Sequence, residues 1–209
     1  MERLLILGAS SGAREIYWYA KHFYPSEDIS FYDDLVPVDI LTIDGRPRPI
    51  YHQFKELQNY QFIVGVGEPF VKRILVEKAL AAGLEPAPSI IDPRSHGDDF
   101  QIGRGGVITP GVVLTTNIKI GDYVTLNPNS TVAHDSSIGD YCTINAGCHI
   151  SGNVKIGSGV YLGAGATVRE KITIASEIKV GTQACVVKDL IEPGVYVGVP
   201  AHFLSQNQI

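Results

Sequence analysis

The sequence is poor in the residues that stabilise small secreted domains and helix bundles. Its 209 residues include 3 cysteines, 1 methionine and 1 tryptophan, and 19% of them are charged. An odd number of cysteines without a Cys-x-x-Cys pair indicates neither a disulfide framework nor a zinc site. We therefore expect a reduced, cytoplasmic protein without a bound metal.

Basic residues and long apolar runs are also scarce. The formal net charge is −5, which gives no basic surface for nucleic acid. No apolar run approaches the length of a membrane span, roughly 18 residues or more, so none is expected. Segment 1–8 lacks the basic region of a signal peptide, and its apolar stretch is too short for one.

Branched aliphatic residues and glycine are abundant instead. Isoleucine, leucine and valine fill 57 of 209 positions, and there are 22 glycines. This much aliphatic material excludes disorder and suffices for a sizeable core. The mixture favours strands and tight turns, and the length allows one or two domains.

A six-residue repeat fills the second half of the chain. Every sixth residue is Ile, Leu or Val at fifteen consecutive positions: Ile102, Ile108, Leu114, Ile120, Leu126, Val132, Ile138, Ile144, Ile150, Ile156, Leu162, Val168, Ile174, Val180 and Val186. The fifth position of each hexad, from Gly106 to Leu190, holds no charged or aromatic residue. Two columns of side chains are therefore expected to face a narrow interior.

A period of six predicts a solenoid with triangular coils. Three hexads close one coil, so about five coils are expected, and residues one coil apart in sequence should stack. Glycines at the second position, such as Gly103 and Gly121, are expected to provide left-handed backbone at the corners. A β-sandwich is disfavoured because it would show a period of two.

The first ninety residues alternate between strands and helices, which predicts a small parallel sheet. The predicted elements are strands at Leu4–Leu7, Ile29–Tyr32 and Phe62–Val66, and helices at Ala13–His22 and Phe70–Ala82. A glycine loop at 8–12 and the acidic pair Asp33-Asp34 occupy nucleotide-binding positions. A tight turn that binds no ligand stays an alternative for this loop. A functional NAD site is disfavoured, because one small βαβ domain lacks the second half that would bind the nicotinamide.

Prolines mark the passage between the two parts of the chain. Pro86, Pro88 and Pro93 separate a domain at 1–90 from a β-helix domain at 91–209. The segment 192–201 leaves the hexad register and is predicted to cap the last coil.

Several segments resemble a known family. The segments Gly8–Glu15, Phe31–Asp34 and Gly65–Glu68 look like the nucleotide-sugar-binding, Rossmann-like domain of bacterial sugar acyltransferases. The hexads, with Ala133-His134-Asp135 and the ending Gly198–Ala201, resemble their left-handed β-helix. The most similar members are sialic acid O-acetyltransferases and N-acetyltransferases of UDP- or GDP-linked 4-amino-4,6-dideoxy sugars.

The resemblance implies an α/β domain followed by a left-handed parallel β-helix, assembled as a homotrimer with active sites between subunits. It implies acetyl-CoA as co-substrate, a nucleotide-linked sugar as acceptor, and no metal. The implied catalytic residues are His134, Asp135, Gly152 and Asn127; those near acetyl-CoA are Thr143, Gly152, Ala164 and Thr182; those near the nucleotide sugar are Ser10, Ser11, Gly12, Asp33, Asp34 and Gly67. The family usually has glutamate where this chain has Asp135.

These residue types suit acyl transfer from a thioester. Neutral imidazole is matched to proton removal near pH 7, and a neighbouring carboxylate can fix its tautomer. Gly152 lies one full coil after His134, so its N–H could donate to the oxyanion without a side chain in the way. Direct transfer is expected, since Cys142 and Cys148 belong to the inward column.

Three other functions are alternatives to this interpretation. A γ-type carbonic anhydrase needs three histidine ligands, whereas the coils contain only His134 and His149, which is expected to be peripheral. A sugar O-acetyltransferase would use the same base. A non-catalytic scaffold would have the same prism, and loss of acetyl transfer in His134→Ala would distinguish it from an enzyme.

Overall fold

The computed structural model describes residues 3–55, 57–92, 96–97 and 99–206. These residues form a small α/β unit followed by a β-solenoid. Within this part of the chain neither α-helix is long and apolar enough to cross a membrane.

The α/β unit is built around one six-stranded sheet. Its elements are β1 (Arg3–Leu7), α1 (Ser11–Ala20), a 3-10 turn (Ser26–Asp28), β2 (Ile29–Tyr32), β3 (Ile40–Ile43), β4 (Arg46–Tyr51), β5 (Tyr60–Val64), α2 (Pro69–Ala81) and β6 (Glu85–Pro86). The strand order is β3-β4-β2-β1-β5-β6, and every pair is parallel except β3 with β4. β1 is central and fully apolar after its first residue, which places the core on both of its faces.

The three predicted strands and two predicted helices of this unit are present, shifted by up to two residues. The sequence interpretation missed the hairpin of β3 and β4. Its turn is Asp44-Gly45, and both residues have positive φ, 51° and 69°. Such a dipeptide is the usual signal for a two-residue hairpin turn. The alternation in β4 is obscured by two prolines, Pro47 and Pro49.

The described part of the solenoid contains eighteen short strands on three faces. The first face holds β7 (Ile90–Ile91), β9 (Val107–Ile108), β12 (Thr125–Leu126), β15 (Thr143–Ile144), β18 (Tyr161–Leu162), β21 (Ile178–Val180), β23 (Gly194–Val197) and β24 (His202–Ser205). The second face holds β10 (Val113–Leu114), β13 (Thr131–Val132), β16 (His149–Ile150), β19 (Thr167–Val168) and β22 (Cys185–Val186). The third face holds β8 (Phe100–Ile102), β11 (Ile118–Ile120), β14 (Ser137–Ile138), β17 (Lys155–Ile156) and β20 (Thr173–Ile174).

Residues one coil apart stack as the repeat predicts. Leu126, for example, pairs with Ile108 below it and Ile144 above it. Fourteen of the fifteen column residues are buried, and Ile102 at the end of the stack is partly covered. All fifth-position residues from Gly106 to Leu190 are buried as well. The two predicted inward columns are therefore confirmed.

The corners differ from the prediction in one respect. The left-handed backbone lies at the fourth position of the hexads, for example at Asn129 and Asp135, with φ of 60° and 59°. The second-position glycines serve close stacking instead, since a Cβ on Gly121 would lie 2.8 Å from the Asp140 backbone nitrogen. Short polar residues tolerate left-handed φ, so the fourth position favours Asn, Asp and Gly.

The solenoid is slightly longer than the predicted five coils. On the first face, parallel pairing runs from β7 through β23, so the prism extends beyond residues 102–191 at both ends. Within the segment predicted as a cap, β23 continues the parallel pairing, and β24, which follows that segment, pairs antiparallel with β23. Pro93 lies outside the described residues, and the domain boundary between residues 90 and 91 stays a prediction.

Candidate active site

Two corners of the prism carry the candidate residues. The histidine corner, between the second and third faces, is defined by His134, Asp135 and Gly152. The asparagine corner, between the first and second faces, is defined by Asn127 and Asn145. The second face separates them, so along one coil they lie roughly 20 Å apart at about 3.3 Å per residue.

His134 is held by a chain of hydrogen bonds at its corner. Its Nδ1 lies 2.8 Å from Asp135 Oδ2, and Asn117 Nδ2 donates to Asp135 Oδ1 at 2.7 Å. The bond with His134 and then the bond from Asn117 lower the pKa of the Asp135 carboxyl. An ionised Asp135 can only accept, so Nδ1 carries the proton and Nε2 keeps a free lone pair. The aspartate at this position therefore reaches the imidazole ring.

Gly152 lies directly against the other edge of the imidazole. A Cβ added at Gly152 would be 2.6 Å from His134 Nε2, which only glycine avoids. The Gly152 carbonyl accepts from Lys171, while its N–H donates to no other group in the described residues. The His134 side chain is 56% exposed, so a second molecule can reach the ring. His134, Asp135 and Gly152 thus form one cluster, whereas Asn127, which the resemblance also implies to be catalytic, lies at the other corner.

The nucleotide-loop residues gather at the carboxyl end of the α/β sheet. Ser10 and Ser11 are exposed at the start of α1, next to the half-buried Gly12. Asp33 is occupied with the backbone: Oδ2 accepts from Ala9 N at 2.9 Å, and Oδ1 accepts from two N–H groups of its own loop. It therefore shapes the loop. Four backbone N–H groups are left without helix partners at the start of α1, which favours anions.

Asp34 turns away from this loop toward α2. Its Oδ2 accepts a hydrogen bond from Lys78 Nζ at 2.6 Å. That hydrogen bond lowers the pKa of the Asp34 carboxyl. Asp34 is thus ionised and already paired with a cation in the structure.

A cavity of about 120 Å³ joins the glycine loop to the asparagine corner. It is lined by Gly12, Glu15, Ile16, residues 64–67, Thr125, Asn127 and Asn145. Three of the predicted residues, Gly12, Gly67 and Asn127, therefore meet here. Asn145 was missed, although it lies one coil after Asn127 and the stacking rule alone would have found it.

The three residues assigned to acetyl-CoA separate into two groups. Ala164 and Thr182 are exposed and stacked at the asparagine corner, one coil apart. Thr143 is 1% exposed, and its Oγ1 accepts a hydrogen bond from Lys72 Nζ at 2.9 Å. The α/β unit covers this part of the first face, so Thr143 lies beneath it and not in an open coenzyme groove.

Cys142 and Cys148 point into the prism. Both are 0% exposed, and burial raises the pKa of their thiols to about 12 and about 11. Neither thiol can supply a thiolate near neutral pH. In the described part of the chain, no group of three or more His, Cys, Asp and Glu side chains could hold a metal ion.

The coils match the family model described as bacterial transferase hexapeptide (six repeats), at residues 117–152 and 135–170. The match includes His134 and Gly152. A search of curated proteins gave no match.

Solved structures of similar fold cover nearly the whole chain. The acetyltransferase domain of PglB from Neisseria gonorrhoeae FA1090, solved also with acetyl coenzyme A, is 27% identical with a TM-score of 0.87, covering 98% of this chain and 100% of that one. WeeI from Acinetobacter baumannii AYE is 28% identical with a TM-score of 0.85 and the same coverage. PerB from Caulobacter crescentus, solved with CoA and GDP-perosamine, shares the fold at 24% identity, a TM-score of 0.85 and 98% coverage of both chains.

Together the hexapeptide match and the structural neighbours show a left-handed β-helix and an enzyme of the acyltransferase class.

Proposed function

We propose that this acyltransferase, built on hexapeptide repeats, transfers the acetyl group of acetyl-CoA to the amino group of a nucleotide-linked amino-deoxy sugar. The observation that carries the proposal is the oriented chain Asn117–Asp135–His134 with Gly152 at the free ring nitrogen. It supplies an exposed base and, beside it, the backbone N–H of the buried Gly152, and attack on a thioester needs both groups.

His134 acts as the general base. Its Nε2 takes a proton from the amine as the nitrogen attacks the thioester carbonyl, so that the C–N bond forms. Asp135, held ionised, stabilises the resulting imidazolium without taking its proton. The C–S bond then breaks, and the proton on His134 passes to the departing thiolate. The charge and the atoms balance without an acyl-enzyme.

Gly152 assists by donating its N–H to the oxygen that becomes negative during attack. The absence of a side chain lets the acetyl group approach both this N–H and Nε2. Donors placed in this way typically contribute about 10²–10³-fold in rate. The nearby cysteines are buried and protonated, which supports direct transfer over a thioester on the enzyme.

The acceptor and coenzyme fit the asparagine corner. The N-terminus of α1 suits the phosphates of a nucleotide, and the cavity between Gly12, Gly67 and Asn127 suits the sugar. The exposed stack of Ala164 and Thr182 offers a surface for the pantetheine arm. Ser10, Ser11 and Asp34 stay candidates for nucleotide contacts, while Asp33 positions the loop and Thr143 contacts Lys72.

Because the base and the acceptor cavity lie at different corners, one chain does not complete the site. We therefore propose a homotrimer in which the histidine corner of one subunit faces the asparagine corner of the next. A cyclic arrangement makes all three interfaces alike, as head-to-tail contacts require.

Acetyl-CoA consumption against a panel of UDP-, GDP- and CMP-linked amino and hydroxy sugars tests the proposal. We expect one class of amino sugar to be acetylated, and His134→Ala to lower its turnover by about 10²–10⁴-fold. His149→Ala is the matched control, because His149 lies on the second face and bonds Thr131. Turnover unchanged in His134→Ala would contradict the mechanism, and acetylation of hydroxyls alone would favour the O-acetyltransferase alternative.

A further inference from the structure

Lys72 crosses from α2 into the wall of the solenoid. Its side chain is 0% exposed. Its Nζ, with at most three N–H donors, lies within hydrogen-bond distance of four oxygens on two successive coils: Tyr123 O at 3.1 Å, Thr125 Oγ1 at 3.1 Å, Cys142 O at 3.1 Å and Thr143 Oγ1 at 2.9 Å. These contacts link residues that are 51 to 71 positions apart. Lys72 therefore joins the two parts of the molecule at one point.

The four acceptors are all neutral. No carboxylate of the described residues pairs with Lys72, whereas the next residue, Arg73, is paired with Glu177. An amine buried without a counter-charge is a poor source of stability, because its desolvation is not repaid by an ion pair. An apolar side chain at this position would hold α2 on the coils without the desolvation free energy that the amine costs. The amine instead makes the contact directional, because its N–H groups can form these hydrogen bonds in only one placement of α2.

This placement controls the acceptor cavity. Thr125 lines the cavity and accepts from Lys72, so one wall is tied directly to the amine. The opposite wall, residues 64–67, leads into α2, which begins at Pro69. Gly67 lies over Thr143, with its Cβ position 3.9 Å from Thr143 Cγ2. A shift of α2 on the coils would thus move both walls relative to each other.

We propose that Lys72 is a positioning residue that fixes the register of the α/β unit on the coils and thereby sets the width of the acceptor cavity. The catalytic part of this inference rests on the proposed function, whereas the register does not. Lys72 touches no reacting atom. Its loss should weaken binding of the nucleotide sugar and spare the chemistry at His134.

Trp18 provides a built-in probe of the register. It is the only tryptophan of the chain, it is 52% exposed on α1, and it lines a small cleft with Asn127 and Pro128 of the asparagine corner. Its emission therefore reports how the α/β unit sits on the coils, with no substrate present.

The experiment compares Lys72→Met and Thr125→Val with Lys119→Met, an exposed lysine on β11. We expect Lys72→Met to raise KM for the amino sugar about tenfold, with kcat and the KM for acetyl-CoA within about twofold, and to change Trp18 emission and its quenching by acrylamide. Thr125→Val, which keeps the side-chain shape, should raise KM by about threefold. The double variant should be no worse than Lys72→Met, because both remove the same contact.

A loss of kcat or of thermal stability alone, with KM and Trp18 emission as in Lys119→Met, would overturn the proposal. If Lys72→Met does not fold, Thr125→Val still tests the proposal. Unchanged KM and unchanged Trp18 emission in Thr125→Val would also overturn it. A Trp18 change in Lys72→Met, with wild-type enzyme that acetylates no amino sugar, would overturn the proposed function and support the register.

Discussion

The histidine corner and the asparagine corner are built from the same repeat but differ in what surrounds them. At the histidine corner, Asn117 of one coil hydrogen-bonds Asp135 of the next, and Asp135 hydrogen-bonds its neighbour His134. At the asparagine corner, Asn127 and Asn145 face a cavity whose other walls belong to the α/β unit of the same chain. One corner is complete within the solenoid, and the other needs the α/β unit.

This difference shows how a solenoid acquires a site. Stacking at intervals of one coil aligns groups vertically on one corner, as with His134 and Gly152, and it cannot bring two corners together. The proposed base and the proposed acceptor cavity are therefore separated within a chain by the second face. Each corner can be altered without touching the other, and the effects should differ in kind.

The largest effect is expected at the histidine corner from Gly152→Ala. The added Cβ would lie 2.6 Å from His134 Nε2, so the ring must move and the N–H becomes obstructed. We expect kcat to fall by about 100-fold or more, with little change in KM for the sugar. Steady-state kinetics checks this.

Gly83→Ala is the control for that variant. Gly83 follows α2 with φ of 82°, and an added Cβ meets no atom within 4 Å. Its substitution should lower the melting temperature and leave kcat unchanged. Equal kcat in Gly152→Ala and Gly83→Ala would remove Gly152 from the catalytic cluster.

A smaller effect of another kind is expected at the asparagine corner. Asn127→Ala removes one polar group from the cavity wall, so KM for the amino sugar should rise roughly five- to tenfold, the value of one hydrogen bond. Asn59→Ala, on an exposed loop before β5, is the matched control. A fall in kcat with KM unchanged would place Asn127 in the chemistry and not in acceptor binding.

The smallest effect is expected on stability, at the contact between the α/β unit and the coils. Burial lowers the pKa of Lys72 to about 7, whereas the unfolded chain keeps the ordinary value of 10.5. Between pH 7 and 8.5 the unfolded state binds more protons, so native stability should rise with pH, by at most about 1.4 kcal/mol per pH unit. Lys72→Met should lose this slope in denaturant titrations.

That pH window avoids the other ionisable groups near Lys72. Burial raises the pKa of the Cys142 thiol and the Tyr123 hydroxyl to about 12, so both stay protonated in the native state. Above about pH 8.5 the thiols of the unfolded chain ionise and give stability the opposite dependence. An identical slope in the variant and the wild type would show that Lys72 does not titrate in this range.

The repeat predicted the solenoid and the stacking of Gly152 on His134, because both depend on contacts at a fixed spacing. Asn117, one coil before Asp135, and Asn145, one coil after Asn127, follow the same rule and could have been predicted. The hairpin of β3 and β4 was also signalled, by Asp44-Gly45. These features are local or periodic in the sequence.

Contacts between the two parts of the chain could not be predicted in this way. Thr143 occupies a coil position like any other, and only the α/β unit above it makes it buried. Lys72 looks like a solvent-facing helix residue, and its four acceptors lie 51 to 71 residues away. Neither the period of the hydrophobic residues nor a local motif predicts which surface of the coils the α/β unit will cover.

The central claim, that one subunit provides His134 and the next provides the acceptor cavity, can be tested by mixing two inactive chains. His134→Ala lacks the base. Gly67→Trp fills the cavity, since Gly67 is exposed with no atom closer than 3.9 Å to its Cβ position. Co-expression with two different affinity tags would isolate the proposed trimers that contain both chains.

Every such mixed ring contains one interface at which an intact His134 faces an intact cavity, whether the ratio is 2:1 or 1:2. Acetyl transfer to the amino sugar at about one third of the wild-type rate is therefore the expected result. Activity no higher than that of the two parent variants would contradict the account, because it would place the base and the cavity of one site in the same chain.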